Sequence, residues 1–203
     1  MRLFVFAVAA AAGLATTALA QSHLVLEGFA DADHRAALQE VFHAAFEPGV
    51  AARVVVEPKS GAEYAVALKQ ANGQYSIVSL IASKRVDEAA AKHTKSVVLG
   101  CNVDIPAHLG AHLQTLWQTM LQRTGPARQF RTVGDNYRFS MSANGQEYAG
   151  QIWSPEASSA PGQFVEIVHT MRELCTSKDP ALQHELRRAA SQLYHQLIPP
   201  AQI

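Results

Sequence analysis

Two histidines, His108 and His112, have the spacing that a metal site on a helix requires. Residues four positions apart lie on the same side of a helix, so both imidazole rings can reach one ion. Zinc proteases of the H-E-x-x-H type use this spacing with a glutamate as general base, but here Leu-Gly-Ala stands between the histidines. A third ligand, such as Asp104 or His169, would also be needed. The alternative is that both histidines border the apolar face of the helix.

Other catalytic signatures are missing from the sequence. It contains no G-x-S-x-G or S-x-x-K motif for a nucleophilic serine, and no glycine-rich phosphate loop. Four glutamates supply carboxylates for glycoside cleavage, although nothing singles out a pair: Glu57, Glu63, Glu147 and Glu166. Catalytic residues therefore cannot be assigned, and we expect no cofactor, with zinc at the two histidines as the alternative.

A group of aromatic residues suggests a binding surface. Tyr137, Phe139, Tyr148 and Trp153 occur together in the second half of the sequence, and exposed aromatic residues often anchor protein contacts. Tyr137 and Phe139 share one face of a strand because side chains alternate. The same residues would equally suit a sheet face buried under helices. The sequence leaves both interpretations open.

The N-terminal twenty residues have the pattern of a secretory signal peptide. Arg2 precedes an apolar run over residues 3–15, and Ala18-Leu19-Ala20 supplies the small residues of a cleavage site before Gln21. The run is shorter than the roughly 20 residues of a membrane span, and no second long apolar run follows. We expect cleavage near Ala20–Gln21 and a bacterial periplasmic or secreted protein without a membrane span. An uncleaved anchor is the alternative.

Two cysteines, Cys101 and Cys175, are the only ones in the chain. An even pair in an exported protein favours a disulfide. Closing a loop of this length would stabilise the fold by roughly 4 kcal/mol in the chain-entropy model. Neither cysteine belongs to a C-x-x-C motif, so a reactive thiol is the least favoured alternative, after two buried free thiols.

The elements that must position these residues alternate between strand and helix patterns. Asn72-Gly73 and Asn144-Gly145 each separate two strand-like segments, which predicts two β-hairpins. Further strands are predicted at residues 53–56 and 96–102. Helices are predicted over residues 33–46 and 105–123, after Pro161, and after the Asp179-Pro180 cap; residues 84–93 are ambiguous. The predicted fold is α+β: an antiparallel sheet of about five to six strands packed against about four helices.

Length and charge restrict the classes of function. Residues 21–203 have the length of one globular domain, and 17 basic residues balance 17 acidic ones. This composition offers no basic stripe for a phosphate backbone, so nucleic acid is not an expected partner. We expect a non-enzymatic exported protein that binds another envelope or secreted protein, as an inhibitor, immunity-type protein or accessory factor. A small envelope hydrolase or metal-dependent enzyme, and a carrier of a small apolar ligand, are the alternatives.

Overall fold

The computed structural model describes Leu24 and residues 32–91, 96–126 and 133–198. The predicted signal peptide lies outside these residues. The helices are α1 (Ala32–Val41), α2 (Val86–Ala91), α3 (Ala107–Gln122), α4 (Ala160–Ser177) and α5 (Pro180–Leu197). The strands are β1 (Val50–Glu57), β2 (Tyr64–Ala71), β3 (Gln74–Ala82), β4 (Val98–Ile105), β5 (Asn136–Ala143) and β6 (Gln146–Trp153).

All six strands form one antiparallel sheet in the order β4-β3-β2-β1-β5-β6. Strands that follow one another in the chain are neighbours in the sheet, except for β4 and β5. Strand β5 pairs instead with β1, and this pairing joins the two halves of the sheet. The prediction of an α+β fold with an antiparallel sheet is confirmed. Of the five helices among the described residues, only the six-residue α2 is short, and it lies in the segment that the sequence left ambiguous.

Two tight turns connect β2 to β3 and β5 to β6. In the first, Asn72 and Gly73 have φ values of 53° and 78°; in the second, Asn144 and Gly145 have φ values of 53° and 74°. Most L-residues avoid positive φ, whereas glycine and asparagine tolerate it. The Asn-Gly pair therefore suits each turn, and the register places Ala71 opposite Gln74.

Among the differences from the sequence-based boundaries, two concern helices. The helix expected over residues 33–46 ends at Val41, and a short 3-10 helix follows at His43–Ala45. Strand β4 extends to Ile105, where a helix was expected to begin, and α3 starts only at Ala107. Pro106 explains the second difference, because the residue before a proline is driven to extended backbone.

Helices α4 and α5 both begin at a residue whose side chain caps the first turn. The Asp179 side chain accepts a hydrogen bond from the Ala181 backbone N–H at 2.8 Å. Pro180 occupies the first helical position of α5, where its missing N–H costs nothing. Ser159 caps α4 in the same way by accepting from the Gly162 N–H.

Helices α3 and α4 cover one face of the sheet, α5 packs on both of them, and together they bury the larger core. Trp117 of α3 lies at its centre and is fully buried. Its ring contacts Phe164 edge-on at a centroid distance of 4.7 Å and Phe139 at 5.8 Å, while Phe139 and Phe164 stack at 4.6 Å. Aromatic pairs in these geometries are stabilising beyond their buried area.

The opposite face carries a smaller apolar cluster under α1 and α2. Leu38 and Phe42 pack there against Val55, Ala65 and small side chains of β2 and β3. Towards β5 and β6 this face changes character and becomes polar and charged. The candidate functional site lies where this face changes from apolar to charged side chains.

The two cysteines form the predicted disulfide, so that prediction is confirmed. Cys101 lies on strand β4 and Cys175 on helix α4, with Cα atoms 5.8 Å apart, which is a usual separation for a bridged pair. The bond ties a strand that pairs only with β3 in this sheet to the helical layer. Within the described ranges, no helix combines the length and apolarity needed to cross a membrane.

Candidate functional site

A cavity of about 320 Å³ lies on the polar part of the sheet face, between α1 and strands β1, β5 and β6. Three arginines line it, one from each of three elements: Arg35 of α1, Arg53 of β1 and Arg138 of β5. Glu147 of β6 is the carboxylate among its lining residues. The sign of the charge on the walls is therefore positive.

Strand register brings two of these arginines together. Arg53 pairs with Ser140 across β1 and β5, and Val55 pairs with Arg138. Arg53 and Val55 are two positions apart and share a face, so Arg53 and Arg138 are diagonal neighbours on that face. By the same alternation, Tyr137 and Phe139, which flank Arg138 in β5, point to the opposite face, towards α3 and α4.

Arg53 is held by two contacts. Its Nη2 donates a hydrogen bond to Oε1 of Glu147 at 3.1 Å, and its Cζ lies 4.4 Å from the centroid of the Phe46 ring. A guanidinium over an aromatic face gains a cation–π attraction. The Arg53 side chain is 20% exposed and that of Glu147 is 69% exposed. The guanidinium is thus placed at the cavity by a partly buried ring and a well-exposed carboxylate.

Arg138 is held differently. Its Nε lies 2.8 Å from Oε1 of Glu57, and the two side chains are only 17% and 18% exposed. Glu57 also lies near two further donors, with His34 Nε2 at 3.3 Å and Asn136 Nδ2 at 3.5 Å. A carboxylate enclosed by several donors is costly to remove, because its partners would stay behind in a partly desolvated place. The Glu57–Arg138 pair therefore belongs to the framework of the cavity.

The chemistry of the cavity suits anion binding. Arginine presents a planar set of N–H donors that matches a carboxylate, and a concave positive surface concentrates anions. Phe46, Leu38 and Val55 add apolar wall area beside the arginines. No histidine or cysteine is among the described lining residues.

The two candidate metal ligands, His108 and His112, lie at the edge of the buried apolar face of α3. His108 is exposed, and the Nε2 atom of His112 lies 3.5 Å from Oγ of Ser191, with its ring edge-on to Tyr194 of α5 at 5.4 Å. Gly110 between them is buried because α3 packs closely there: a Cβ at this position would lie 2.1 Å from Cγ of Tyr75. This contact accounts for a glycine between the histidines.

Neither proposed third ligand has a described contact with the histidine pair. Asp104 is an exposed residue near the end of β4, and His169 contacts Tyr137. Over residues 32–91, 96–126 and 133–198, no three His, Cys, Asp or Glu side chains are arranged to hold a metal ion. Zinc binding at His108 and His112 stays a sequence-based prediction.

The four aromatic residues do not form one surface patch. Tyr137 and Phe139 are 4% and 1% exposed and belong to the core under the helices, and Tyr148 packs partly against that core. Trp153, paired with Asn136, is half-buried and by alternation points to the other face. The helices cover Tyr137 and Phe139, as in the buried interpretation that the sequence left open, and Phe139 is also among the residues that line the cavity.

A second polar cluster joins the start of β2 and β5 to helix α4. The Tyr137 hydroxyl lies 3.2 Å from His169 Nε2, and the guanidinium of Arg172 lies 4.4 Å from the centroid of the Tyr64 ring. Burial raises the pKa of both Tyr64 and Tyr137 above its ordinary value. Because both phenols are almost inaccessible, this cluster serves the packing of α4 on the sheet.

Sequence reasoning missed the three cavity arginines. Arg53 and Arg138 each stand among apolar and aromatic residues of a strand, and this isolated charge is a signal of a polar site on an otherwise buried sheet. The sequence could not show that both belong to one cavity, since that depends on the pairing of β1 with β5.

Comparison with known proteins gives no relative: no family model, curated protein or solved structure matches this chain.

Proposed function

We propose that this chain is an exported, non-enzymatic protein that binds another envelope or secreted protein through the arginine-lined cavity. The observation that carries the proposal is the convergence of Arg35, Arg53 and Arg138 on one concave surface. Arginine is enriched among residues that dominate binding energy at protein interfaces. A volume of about 320 Å³ is at the lower end of small-ligand sites, and it suits one or two side chains of a partner.

Export is supported by two independent features. Residues 1–20 have the charged start, apolar middle and A-x-A end of a cleaved signal. The Cys101–Cys175 disulfide belongs to an oxidising compartment such as the periplasm or the extracellular space. N-terminal sequencing of the protein recovered from a bacterial periplasmic fraction should begin at Gln21; recovery of an intact Met1 start in the cytoplasm would contradict export.

The structure offers less support for the alternatives. A carrier of an apolar ligand needs space between sheet and helices, and there Trp117, Phe139 and Phe164 are in direct contact. An envelope hydrolase using histidines would need them to converge, whereas His112 contacts α5 and His169 contacts Tyr137. Among the described residues, neither alternative has a specific observation in its favour.

The proposal is tested by comparing the proteins that co-purify with three forms of the chain from envelope extracts. Arg53→Gln removes a charge from the cavity wall. Lys69→Gln is the matched control, because Lys69 also forms an ion pair on the sheet, with Glu47 at 2.8 Å, and is not among the lining residues. A partner retained by the wild type and by Lys69→Gln but lost by Arg53→Gln supports the proposal. Equal recovery with all three forms would place binding elsewhere.

A further inference from the structure

The two carboxylates that meet the cavity arginines differ in how firmly they are held. Glu57 is 18% exposed and lies near donors of Arg138, His34 and Asn136. Glu147 is 69% exposed, and its described polar contact is with Arg53 alone. An ion pair with one exposed partner contributes little to stability. Glu147 can therefore leave Arg53 at small cost, whereas Glu57 cannot leave Arg138.

We infer that the partner contributes an aspartate or glutamate side chain whose carboxylate replaces Glu147 on Arg53. This inference rests on the proposed function and names the group that the cavity recognises. Glu147 then acts as an internal stand-in: it keeps the Arg53 guanidinium paired and oriented over Phe46 until the partner's carboxylate arrives. Preorganisation of this kind lowers the entropic cost of binding.

Charge balance favours a carboxylate over a phosphate. A monoanionic carboxylate that takes the place of Glu147 on Arg53 adds one negative charge to a site that retains both Glu147 and Glu57. A phosphate group would bring up to two negative charges next to the displaced Glu147 and near the firmly held Glu57. Like charges repel over these distances in a partly buried site.

The apolar lining favours a carboxylate attached to a short hydrocarbon chain. Phe46, Leu38 and Val55 line the cavity beside Arg53. The methylene groups of an acidic side chain can pack against these walls while the carboxylate meets the guanidinium, as long polar side chains do elsewhere. Free inorganic anions would leave this surface uncovered.

The test uses a short peptide of alanine and leucine with one central glutamate, blocked at both ends so that the side chain is its only carboxylate. Peptides with glutamine or phosphoserine at the centre, and a glutamine peptide with a free C-terminal carboxylate, are the comparisons. Heteronuclear NMR follows the backbone amides of Ser140 and Ala149, which line the cavity. The titrations are repeated with Glu147→Gln and with Glu47→Gln, a control that makes the same change in net charge at the Glu47–Lys69 pair.

The expected result is saturable binding of the glutamate peptide that is tightened up to about fivefold in Glu147→Gln, as loss of an exposed competing pair allows. Glu47→Gln should bind as the wild type does, and the glutamine peptide should bind at least about tenfold more weakly. Equal affinity of the glutamate peptide for Glu147→Gln and Glu47→Gln would overturn the replacement of Glu147 by the partner's carboxylate, while leaving the cavity as the binding site. Stronger binding of the phosphoserine or free C-terminal peptide would overturn the side-chain carboxylate. If no peptide moves the cavity signals, the inference and the proposed function both fail.

Discussion

The Nη2 atom of Arg53 donates a hydrogen bond to Oε1 of Glu147 over 3.1 Å, although the two residues are 94 positions apart in the chain. The bond spans from β1 to β6 across the intervening strand β5. It exists because β1 pairs with β5 and β5 pairs with β6 in registers that turn both side chains to the same face. This relationship places an arginine, already stacked on Phe46, at the wall of the cavity.

Replacing Arg53 should weaken partner binding more than it weakens the fold. Arg53→Gln removes a charge-assisted donor, so the dissociation constant should rise at least about tenfold. Arg53 is paired with Glu147, which is largely exposed, so the free energy of unfolding should change by about 1 kcal/mol or less. Arg53→Lys keeps the charge but loses the planar guanidinium, so its dissociation constant should lie between those of the wild type and Arg53→Gln. Calorimetric titration and urea unfolding separate the effects; a large loss of stability with unchanged affinity would show a purely structural arginine.

Breaking the disulfide should destabilise the protein without changing its architecture. Replacing Cys101 and Cys175 together by alanine should lower the free energy of unfolding by about 2–5 kcal/mol, because the unfolded chain regains the entropy of an open loop. Urea unfolding of the oxidised protein, the reduced protein and the double variant is the measurement. Thiol labelling of denatured, unreduced protein should find no free sulfhydryl. Two labelled cysteines, or identical unfolding midpoints, would contradict a bridge that stabilises the native state.

Phe139 should behave as a core residue and not as a contact residue. It is 1% exposed and stacks on Phe164. Phe139→Leu removes the stacking and leaves a small gap, so we expect a loss of about 1.5 kcal/mol of unfolding free energy. Affinity for the partner, measured on the folded fraction, should fall less than in Arg53→Gln, because Phe139 lines the cavity without supplying a charged donor. A large fall in affinity with unchanged stability would restore the sequence-based interpretation of an aromatic contact surface.

The buried tyrosines should make the protein less stable at alkaline pH. Burial raises the pKa of Tyr64 and Tyr137 in the folded state, whereas in the unfolded chain both ionise near pH 10. Above about pH 10 the unfolded state therefore loses protons that the folded state retains, and the free energy of unfolding falls as pH rises. Below that pH the contribution is fully present.

Absorbance of tyrosinate during an alkaline titration measures this directly. Tyr64 and Tyr137 should ionise at a higher pH in the folded protein than in the urea-unfolded chain, and Tyr137→Phe should remove one of these two delayed transitions. If all five tyrosines in the chain ionise together near pH 10 while the protein stays folded, the burial of Tyr64 and Tyr137 is contradicted.

Features encoded by a few adjacent residues could be predicted from the sequence. The Asn-Gly turns depend on positive φ at two residues, and the start of α5 depends on Asp179 and Pro180. The disulfide also followed, since Cys101 had only Cys175 as an intramolecular partner. Each of these needs no knowledge of how distant elements pack.

The candidate site could not be predicted in the same way. Alternation shows that Tyr137 and Arg138 point to opposite faces, but it does not show which face the helices cover. That choice depends on where α3 and α4 pack against the sheet, and their position buries Tyr137 and Phe139 and leaves the arginines at a cavity on the other face. The meeting of Arg53 with Glu147 depends on two strand pairings that bring together distant parts of the chain.

Site-specific photo-crosslinking in living bacteria tests the central claim most directly. A photoreactive amino acid at Gln39, on the α1 wall of the cavity, should form a covalent adduct with one defined protein in the envelope. The same group at Thr176, exposed on α4 on the opposite side of the sheet, is the matched control. The account predicts an adduct from position 39 that disappears when Arg53→Gln is added, and none from position 176. An adduct from position 176 alone, or one from position 39 that persists with Arg53→Gln, would contradict partner recognition by the arginine-lined cavity.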